Sequence, residues 1–305
     1  MISTYFRESS PAMKITLTLL FCLTGMLVFM LIGSVVIFLI YGSSALSYLS
    51  NPNPSVPEAL TVLKILQICQ GIGMFIVPGF LLAMYFSSNP LRYLGFNRIN
   101  LKLGLLAGLT ILVAFPAINL LASLNEQVSM PQWMTDMEQK AQVLTKAFMT
   151  VDSFWGVLLN IFMIAVLPAI GEELIFRGLL QKIFTDLTGK VDWGIVISAV
   201  LFSSMHLQFQ GFIPRLALGI LFGFLYLWSG SLWLPIIAHF INNTVAIIGY
   251  SLIYKGSLPS EAENIGGLSV MWPIGLLSLG LVLILLWKIK SEGLMIRKIE
   301  KTALD

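Results

Sequence analysis

Eight long apolar runs dominate this chain and limit the folds that are open to it. They cover residues 15–41, 60–86, 103–123, 154–183, 192–207, 212–228, 232–254 and 268–287. About 20 apolar residues are enough for a helix to cross the hydrocarbon core of a bilayer. Only 11% of the residues are charged, whereas about 25% are charged in soluble domains. We therefore predict an all-α, polytopic membrane bundle of about eight transmembrane helices.

The distribution of Lys and Arg predicts how this bundle is oriented. If both termini are cytoplasmic, the inside segments carry twelve of these residues and the outside segments carry four. Such an excess follows the positive-inside rule. We therefore expect a multi-pass protein of the cell membrane with both termini in the cytoplasm. No basic run is long enough to suggest nucleic-acid binding.

Charged side chains inside the fourth apolar run point to a polar site within the membrane. A charge at the centre of a membrane helix costs about 2.5–3.5 kcal/mol on the insertion scale and is a functional hypothesis by default. This run contains Glu172, Glu173 and Arg177. Glu173 and Arg177 are four residues apart, so they share a helix face and can pair. Glu172 is rotated by about 100° from Glu173, and we expect it to face a cavity.

The two histidines of the chain lie on two further apolar runs. Phe202 and His206 are four residues apart and share a face, as do His239 and Asn243. At about 1.5 Å per residue, Glu172, His206 and His239 lie about 16, 22 and 11 Å from the cytoplasmic face. All three depths fall in the middle of a core of about 30 Å. The sequence therefore predicts that three helices bring polar groups to one site.

Other interpretations of these residues stay open at this point. A membrane histidine or Asn243 can simply hydrogen-bond neighbouring helices, and Gly219 and Gly223 indicate close helix packing. Buried Glu, His and Arg can also form the proton relay of a transporter. A non-catalytic membrane scaffold or immunity protein is a further alternative. Replacing Glu172 by Gln separates these alternatives, because an enzyme should lose activity and a scaffold should not.

The three motifs, taken in this order, resemble the CPBP family of intramembrane proteases. That family includes the type II CAAX prenyl endopeptidases and the bacterial Abi proteins. Seven residues carry the motifs: Glu172, Glu173, Arg177, Phe202, His206, His239 and Asn243. The resemblance covers about 154–250, roughly a third of the chain. It implies a cavity inside the membrane and hydrolysis of a peptide bond near the C-terminus of a membrane-associated substrate.

Residue chemistry indicates how such a site would act. Glu172 could serve as general base on a water that His206 helps to hold. His239 and Asn243 could donate hydrogen bonds to the oxyanion, and the other motif residues would support them. No Ser or Cys is positioned with a base, so we do not expect a covalent mechanism. The expected partners are the lipid bilayer and a membrane-associated peptide or protein, such as a prenylated protein or a peptide precursor.

The cofactor is the open point of this mechanism. Two His and one Glu form a known catalytic zinc set, so a bound Zn2+ would take Glu172, His206 and His239 as ligands. Glu172 could not act as the base while it binds zinc. The chain also lacks the His-Glu-x-x-His motif, which supplies two ligands and a base on one helix. We therefore favour Glu172 acting on water without a metal.

These observations divide the chain into three regions. Residues 1–150 should contain three transmembrane helices and an amphipathic helix near 131–149 that lies along the membrane interface. Its apolar face would comprise Trp133, Met137, Ala141, Leu144 and Phe148. Residues 151–255 should form a catalytic core similar to the CAAX proteases. Residues 256–305 should contain the last transmembrane helix and a basic cytoplasmic tail.

Overall fold

The prediction of an all-α, polytopic bundle is confirmed by a computed structural model, which describes residues 6–50, 53–151 and 153–302. Within these ranges all regular structure is helical. The longer helices are α1 (Pro11–Tyr41), α2 (Pro57–Phe86), α3 (Leu101–Asn125), α4 (Gln132–Met149), α5 (Phe154–Thr188), α6 (Val191–Ser204), α7 (Phe212–Ser229), α8 (Trp233–Tyr254) and α9 (Trp272–Thr302). Seven of them, all except α4 and α6, are long and apolar enough to cross a membrane.

Local sequence signals set the helix ends. Ser10 and Ser153 cap α1 and α5, because each side chain accepts a hydrogen bond from the backbone N–H three residues later. Gly189 and Gly230 end α5 and α7 in the left-handed region, at φ values of 68° and 66°. Helix α5 therefore extends to Thr188, beyond the predicted end of the fourth apolar run at residue 183.

Helix α8 lies at the centre of the half of the bundle that carries the motifs. It packs against α3 on one side and against α5 on another, while α7 packs against both α6 and α9. Two glycines allow the close approach of α6 and α7. A Cβ atom at Gly219 would lie 3.0 Å from Ala199 Cβ, and one at Gly223 would lie 2.7 Å from Ile195 Cγ2. These contacts agree with the close helix packing that the two glycines indicate.

The fifth predicted span is shorter than the sequence indicates. Helix α6 has 14 residues and ends at Ser204, so its length of about 21 Å falls short of a hydrocarbon core of about 30 Å. Leu207 adopts a φ of 51°, which takes the backbone out of the helix. The prediction that 192–207 is one continuous span ending beyond His206 was therefore wrong. His206 instead lies in the loop after α6, where irregular backbone lines a cavity.

Helix α4 forms over the segment for which an amphipathic helix was predicted. Phe148 of its apolar face is buried, as expected. Glu138 is also buried, although the helical pattern placed it away from that face. Its Oε2 accepts a hydrogen bond from the backbone N–H of Gln210 at 3.2 Å, and this bond accounts for the inward carboxylate. The position of α4 along the membrane interface stays a prediction.

Candidate active site

A buried ion pair stands at the centre of the motif residues. Arg177 Nη1 lies 2.8 Å from Glu173 Oε1, and the two side chains are 1% and 0% exposed. Arg177 Nη2 also donates to the backbone carbonyl of Gly219 at 3.0 Å. The guanidinium lies 4.8 Å from the ring centroid of Phe202 and 5.4 Å from that of Phe222. Buried charges are tolerated only when they are paired and hydrogen-bonded in this way.

The same carboxylate oxygen also holds His239. Glu173 Oε1 lies 2.9 Å from His239 Nδ1, and because a carboxylate only accepts, Nδ1 carries the donated proton. The imidazole stacks on Phe222 at 5.1 Å with an angle of 21° between the rings. This arrangement leaves Nε2 on the side of Glu172, 3.8 Å from its Oε2. The four-residue spacing predicted only the pairing of Glu173 with Arg177. The hydrogen bond from His239, the second partner of Glu173, was not predicted.

Glu172 lies on the wall of a cavity of about 570 Å³. His206, His239 and Asn243 line the same cavity, whereas Glu173 does not. The side chain of Glu172 is 12% exposed, and its Oε2 has no hydrogen-bond partner in the described part of the chain. The two adjacent carboxylates therefore face different surroundings, as their rotation of about 100° on the helix predicts.

His206 reaches the cavity from the loop that follows α6. Its Nδ1 lies 2.9 Å from the carbonyl oxygen of Phe202, and the two rings are 5.2 Å apart. A carbonyl oxygen only accepts, so Nδ1 donates and Nε2 keeps a lone pair. The sequence predicted contact between these residues through a shared helix face. The contact exists, but the turn after the helix places the imidazole there.

Asn243 is held in place by hydrogen bonds at both ends of its amide. Its Nδ2 donates to the carbonyl of Ile164 at 3.0 Å, and its Oδ1 accepts from Asn242 Nδ2 at 3.0 Å. Ile164 belongs to a π-helical segment, Ile161–Val166, and a second such segment, Leu174–Leu180, follows the two glutamates. π-Helical turns are frequent at functional sites, because they redirect side chains within a helix.

Arg215 is a cavity residue that the sequence did not single out. It lines the same cavity, where Nη1 donates to Gln208 Oε1 at 2.9 Å and Nη2 donates to the backbone carbonyl of Gln208. The guanidinium interacts electrostatically with Glu138 and Glu172. The orientation predicted from the Lys and Arg residues places Arg215 among the four cations of the outside segments. The sequence feature that could have identified Arg215 is its charge within α7, because the other residues of this helix are apolar or neutral.

Helix α4 supplies the outer wall of the cavity. The residues of this helix that line the cavity are Ala141, Leu144, Thr145, Phe148 and Met149. Three of them belong to the apolar face predicted from the sequence. The helix therefore separates the polar residues from the surroundings on that side, and its apolar side chains face the space next to Glu172.

Glu172, His206 and His239 supply the types of donor atom that bind zinc, but they are not placed close enough together to form a zinc site. Each imidazole donates from Nδ1 to an oxygen and keeps Nε2 for another partner, as histidine ligands of metals do. Among the residues that the structure describes, however, no group of three or more His, Cys, Asp and Glu is placed to hold a metal ion. The arrangement therefore does not fit a preformed metal site.

The buried pair generates a prediction about stability. Replacing Arg177 by Met should lower the free energy of unfolding by about 3–5 kcal/mol, because the Glu173 carboxylate would be left buried without its cation. The double variant Glu173→Leu, Arg177→Met should lose less than Arg177→Met alone. Unfolding in mixed detergent micelles, followed by tryptophan fluorescence, measures these differences.

The ion pair between Lys102 and Glu292 provides the matched control. Its nitrogen and oxygen are 2.6 Å apart, but the side chains are 56% and 21% exposed. Lys102→Met should therefore cost no more than about 1 kcal/mol. Equal losses of unfolding free energy in Arg177→Met and Lys102→Met would contradict this expectation. They would show that burial does not increase the contribution of the inner pair to stability.

The part of the chain that carries these residues matches a known family. Residues 154–245 match the family described as type II CAAX prenyl endopeptidase Rce1-like. This stretch is just under a third of the chain and contains all seven motif residues. No solved structure matches the chain.

Three curated relatives are similar over segments of comparable length. YpbD of Bacillus subtilis is 31% identical over 90 residues, which are 28% of this chain and 43% of YpbD. The Bacillus subtilis protein named "Putative membrane peptidase YdiL" is 32% identical over 98 residues, 32% of this chain and 40% of YdiL. A 24.3 kDa protein of Escherichia coli is 28% identical over 109 residues, 34% of this chain and 50% of that protein. The chain thus spans half or less of each of these relatives. The similarity to the type II CAAX prenyl endopeptidases concerns the segment that carries the seven motif residues.

Proposed function

We propose that this chain is a membrane peptidase that hydrolyses a peptide bond of a membrane-associated substrate. The observation that carries this proposal is the convergence of Glu172, His206, His239 and Asn243 on one cavity. The same residues belong to the segment that is similar to a peptidase family. The cavity holds a carboxylate whose Oε2 has no hydrogen-bond partner among the described residues, two imidazoles and a hydrogen-bonded amide. These are the groups that hydrolysis requires.

The first step is the activation of a water molecule by Glu172. The Glu172 carboxylate and His206 Nε2 are both acceptors, so one water can donate a hydrogen bond to each of them. Its oxygen lone pairs are then free to attack the carbonyl carbon of the substrate. As the C–O bond forms, the water proton moves to Glu172. Glu172 returns this proton to the amine nitrogen as the C–N bond breaks, so the carboxylate acts as base and then as acid.

The negative charge on the substrate oxygen is stabilised from α8. Asn243 uses one N–H for the carbonyl of Ile164 and keeps a second N–H for the oxyanion. His239 donates from Nδ1 to Glu173, so its Nε2 can donate to the oxyanion only when the ring carries a second proton. Glu173 therefore acts as a positioning residue for His239 rather than as a base.

We propose this reaction without Zn2+, because Glu172 then stays available as the base. The substrate class is a peptide or protein at the membrane, and a prenylated C-terminus is the first candidate because of the family similarity. Apolar side chains on the cavity wall, among them Leu144, Leu218 and Phe222, suit such a substrate. The chain would act in the cell membrane with both termini in the cytoplasm.

Glu172→Gln tests the proposed base. It should reduce cleavage of a fluorogenic farnesylated CAAX peptide by purified protein at least about 100-fold, because Gln cannot take the proton from water. The matched control is Glu126→Gln, which changes an exposed carboxylate just after α3 and should leave cleavage unchanged. Thermal melts should show that both variants are folded.

Two outcomes would count against parts of this proposal. Full activity of a folded Glu172→Gln variant would contradict the assignment of the base. A folded wild-type protein that leaves the peptide intact would remove the prenylated substrate. The search would then turn to other membrane peptides that accumulate when Glu172 is replaced.

Asn243→Ala tests the stabilisation of the oxyanion. It should lower kcat by about 100- to 1000-fold with little change in KM, because the lost hydrogen bond forms mainly in the transition state. The control is Thr244→Val, an isosteric change at the next residue of α8, which does not line the cavity. A rise in KM at constant kcat would instead assign Asn243 to substrate binding.

A further inference from the structure

A second cavity, of about 450 Å³, lies at the other end of the motif helices. The C-terminal ends of α5 and α7 form it together with the beginning of α1, the short helix Pro90–Leu94 and the C-terminal part of α9. Within the described ranges of the chain, it shares no lining residue with the cavity of Glu172. The positive-inside rule places this end in the cytoplasm.

The walls of this second cavity are strongly basic. Lys14, Arg92, Lys182 and Arg297 line it, and they come from four separate elements of the fold. One carboxylate, that of Asp186, lines the same cavity. None of the four cations forms an ion pair with a carboxylate whose side chain the structure describes. The cavity therefore carries an excess of positive charge that the protein itself leaves largely uncompensated.

Rigid neutral groups hold the central cation in place. The ammonium of Lys182 lies 4.8 Å from the ring centroid of Tyr93 and 5.4 Å from that of Tyr226, and it donates to the backbone carbonyl of Tyr93. Tyr226 is fixed by a hydrogen bond from its hydroxyl to the carbonyl of Leu94 at 3.1 Å. Gly95 has a φ of 91°, and a Cβ atom there would lie 2.7 Å from the Tyr226 ring. The position of Lys182 is thus set before any ligand arrives.

We propose that this cavity is a binding site for a phosphate group. Phosphate oxygens accept several charge-assisted hydrogen bonds at once, and Arg and Lys are the side chains that supply them. The phosphate can belong to the headgroup of an anionic phospholipid or to a soluble phosphate compound. Basic residues near the cytoplasmic ends of helices are common, but here cations from four elements line one cavity.

The site would be distinct from the place of peptide hydrolysis. Lys182 follows Glu173 by nine residues on α5, which corresponds to about two helical turns. A phosphate beside Lys182 is therefore out of reach of the reacting atoms. The proposal does not depend on the peptidase function, because it rests on the charge and geometry of the second cavity alone.

Binding measurements on the full chain in an uncharged detergent test this proposal. Dihexanoyl phosphatidylglycerol, dihexanoyl phosphatidylcholine and inorganic phosphate are titrated separately at low ionic strength. Arg297→Gln and Lys182→Gln should each weaken binding of the anionic probe about tenfold, the loss typical of one charge-assisted hydrogen bond. The exposed Arg297 keeps the test decisive if the half-buried Lys182 is needed for folding. Arg98→Gln and Lys190→Gln are the controls, because they remove charges at the same end but outside the cavity.

The outcomes separate the two sources of phosphate. Binding of phosphatidylglycerol that exceeds binding of phosphatidylcholine and phosphate, and that the cavity variants weaken, supports a lipid headgroup. Binding of inorganic phosphate with the same sensitivity supports a soluble ligand. Absence of binding to folded wild type overturns the proposal. Equal losses from the cavity variants and the controls also overturn it, because they would reveal only a general surface charge.

Discussion

Arg177 Nη1 and His239 Nδ1 both donate to a single oxygen, Oε1 of Glu173. This shared carboxylate is fully buried, so its charge depends on both donors. The bond to His239 joins α5 to α8, and the bond from Arg177 to the carbonyl of Gly219 joins α5 to α7. Removing any one of these partners leaves a polar group inside an apolar bundle. One buried ion pair therefore links three helices of the bundle.

The cavity is a consequence of the same arrangement. Glu173 is bonded to Arg177 and His239, whereas Glu172 on the neighbouring face lies on the cavity wall, and its Oε2 has no hydrogen-bond partner in the described part of the chain. The short α6 ends inside the bundle and delivers His206 through a loop, and α4 covers the outer side. Apolar side chains of α4 thus form part of the cavity wall beside the polar residues.

Local spacing predicted those parts of the site that depend on a single helix. The interval of four residues between Glu173 and Arg177 indicated their pairing, and the adjacent position indicated that Glu172 turns elsewhere. The hydrogen bond between His239 and Glu173 joins residues 66 positions apart. The spacing of residues within one helix cannot predict such a contact between two helices. Arg215 was not singled out from the sequence, because its place on the cavity wall depends on how several helices pack together.

The end of α6 shows a different limit of prediction. Apolar residues continue through Met205 and Leu207, so the pattern gave no sign that the helix ends at Ser204. The turn depends on a left-handed φ at Leu207, and a leucine does not signal that conformation. Glu138 is a third case, because its burial follows from a hydrogen bond to the loop at Gln210 rather than from its position on α4.

The most direct test of the account compares the membrane peptides of cells that carry either the wild-type chain or Glu172→Gln at equal protein levels. Mass spectrometry of peptide termini reads out cleavage without any assumption about the substrate. The account predicts new carboxyl termini that occur with the wild type and disappear with Glu172→Gln, together with accumulation of their uncut precursors. Identical sets of termini in the two strains would contradict a peptidase whose base is Glu172.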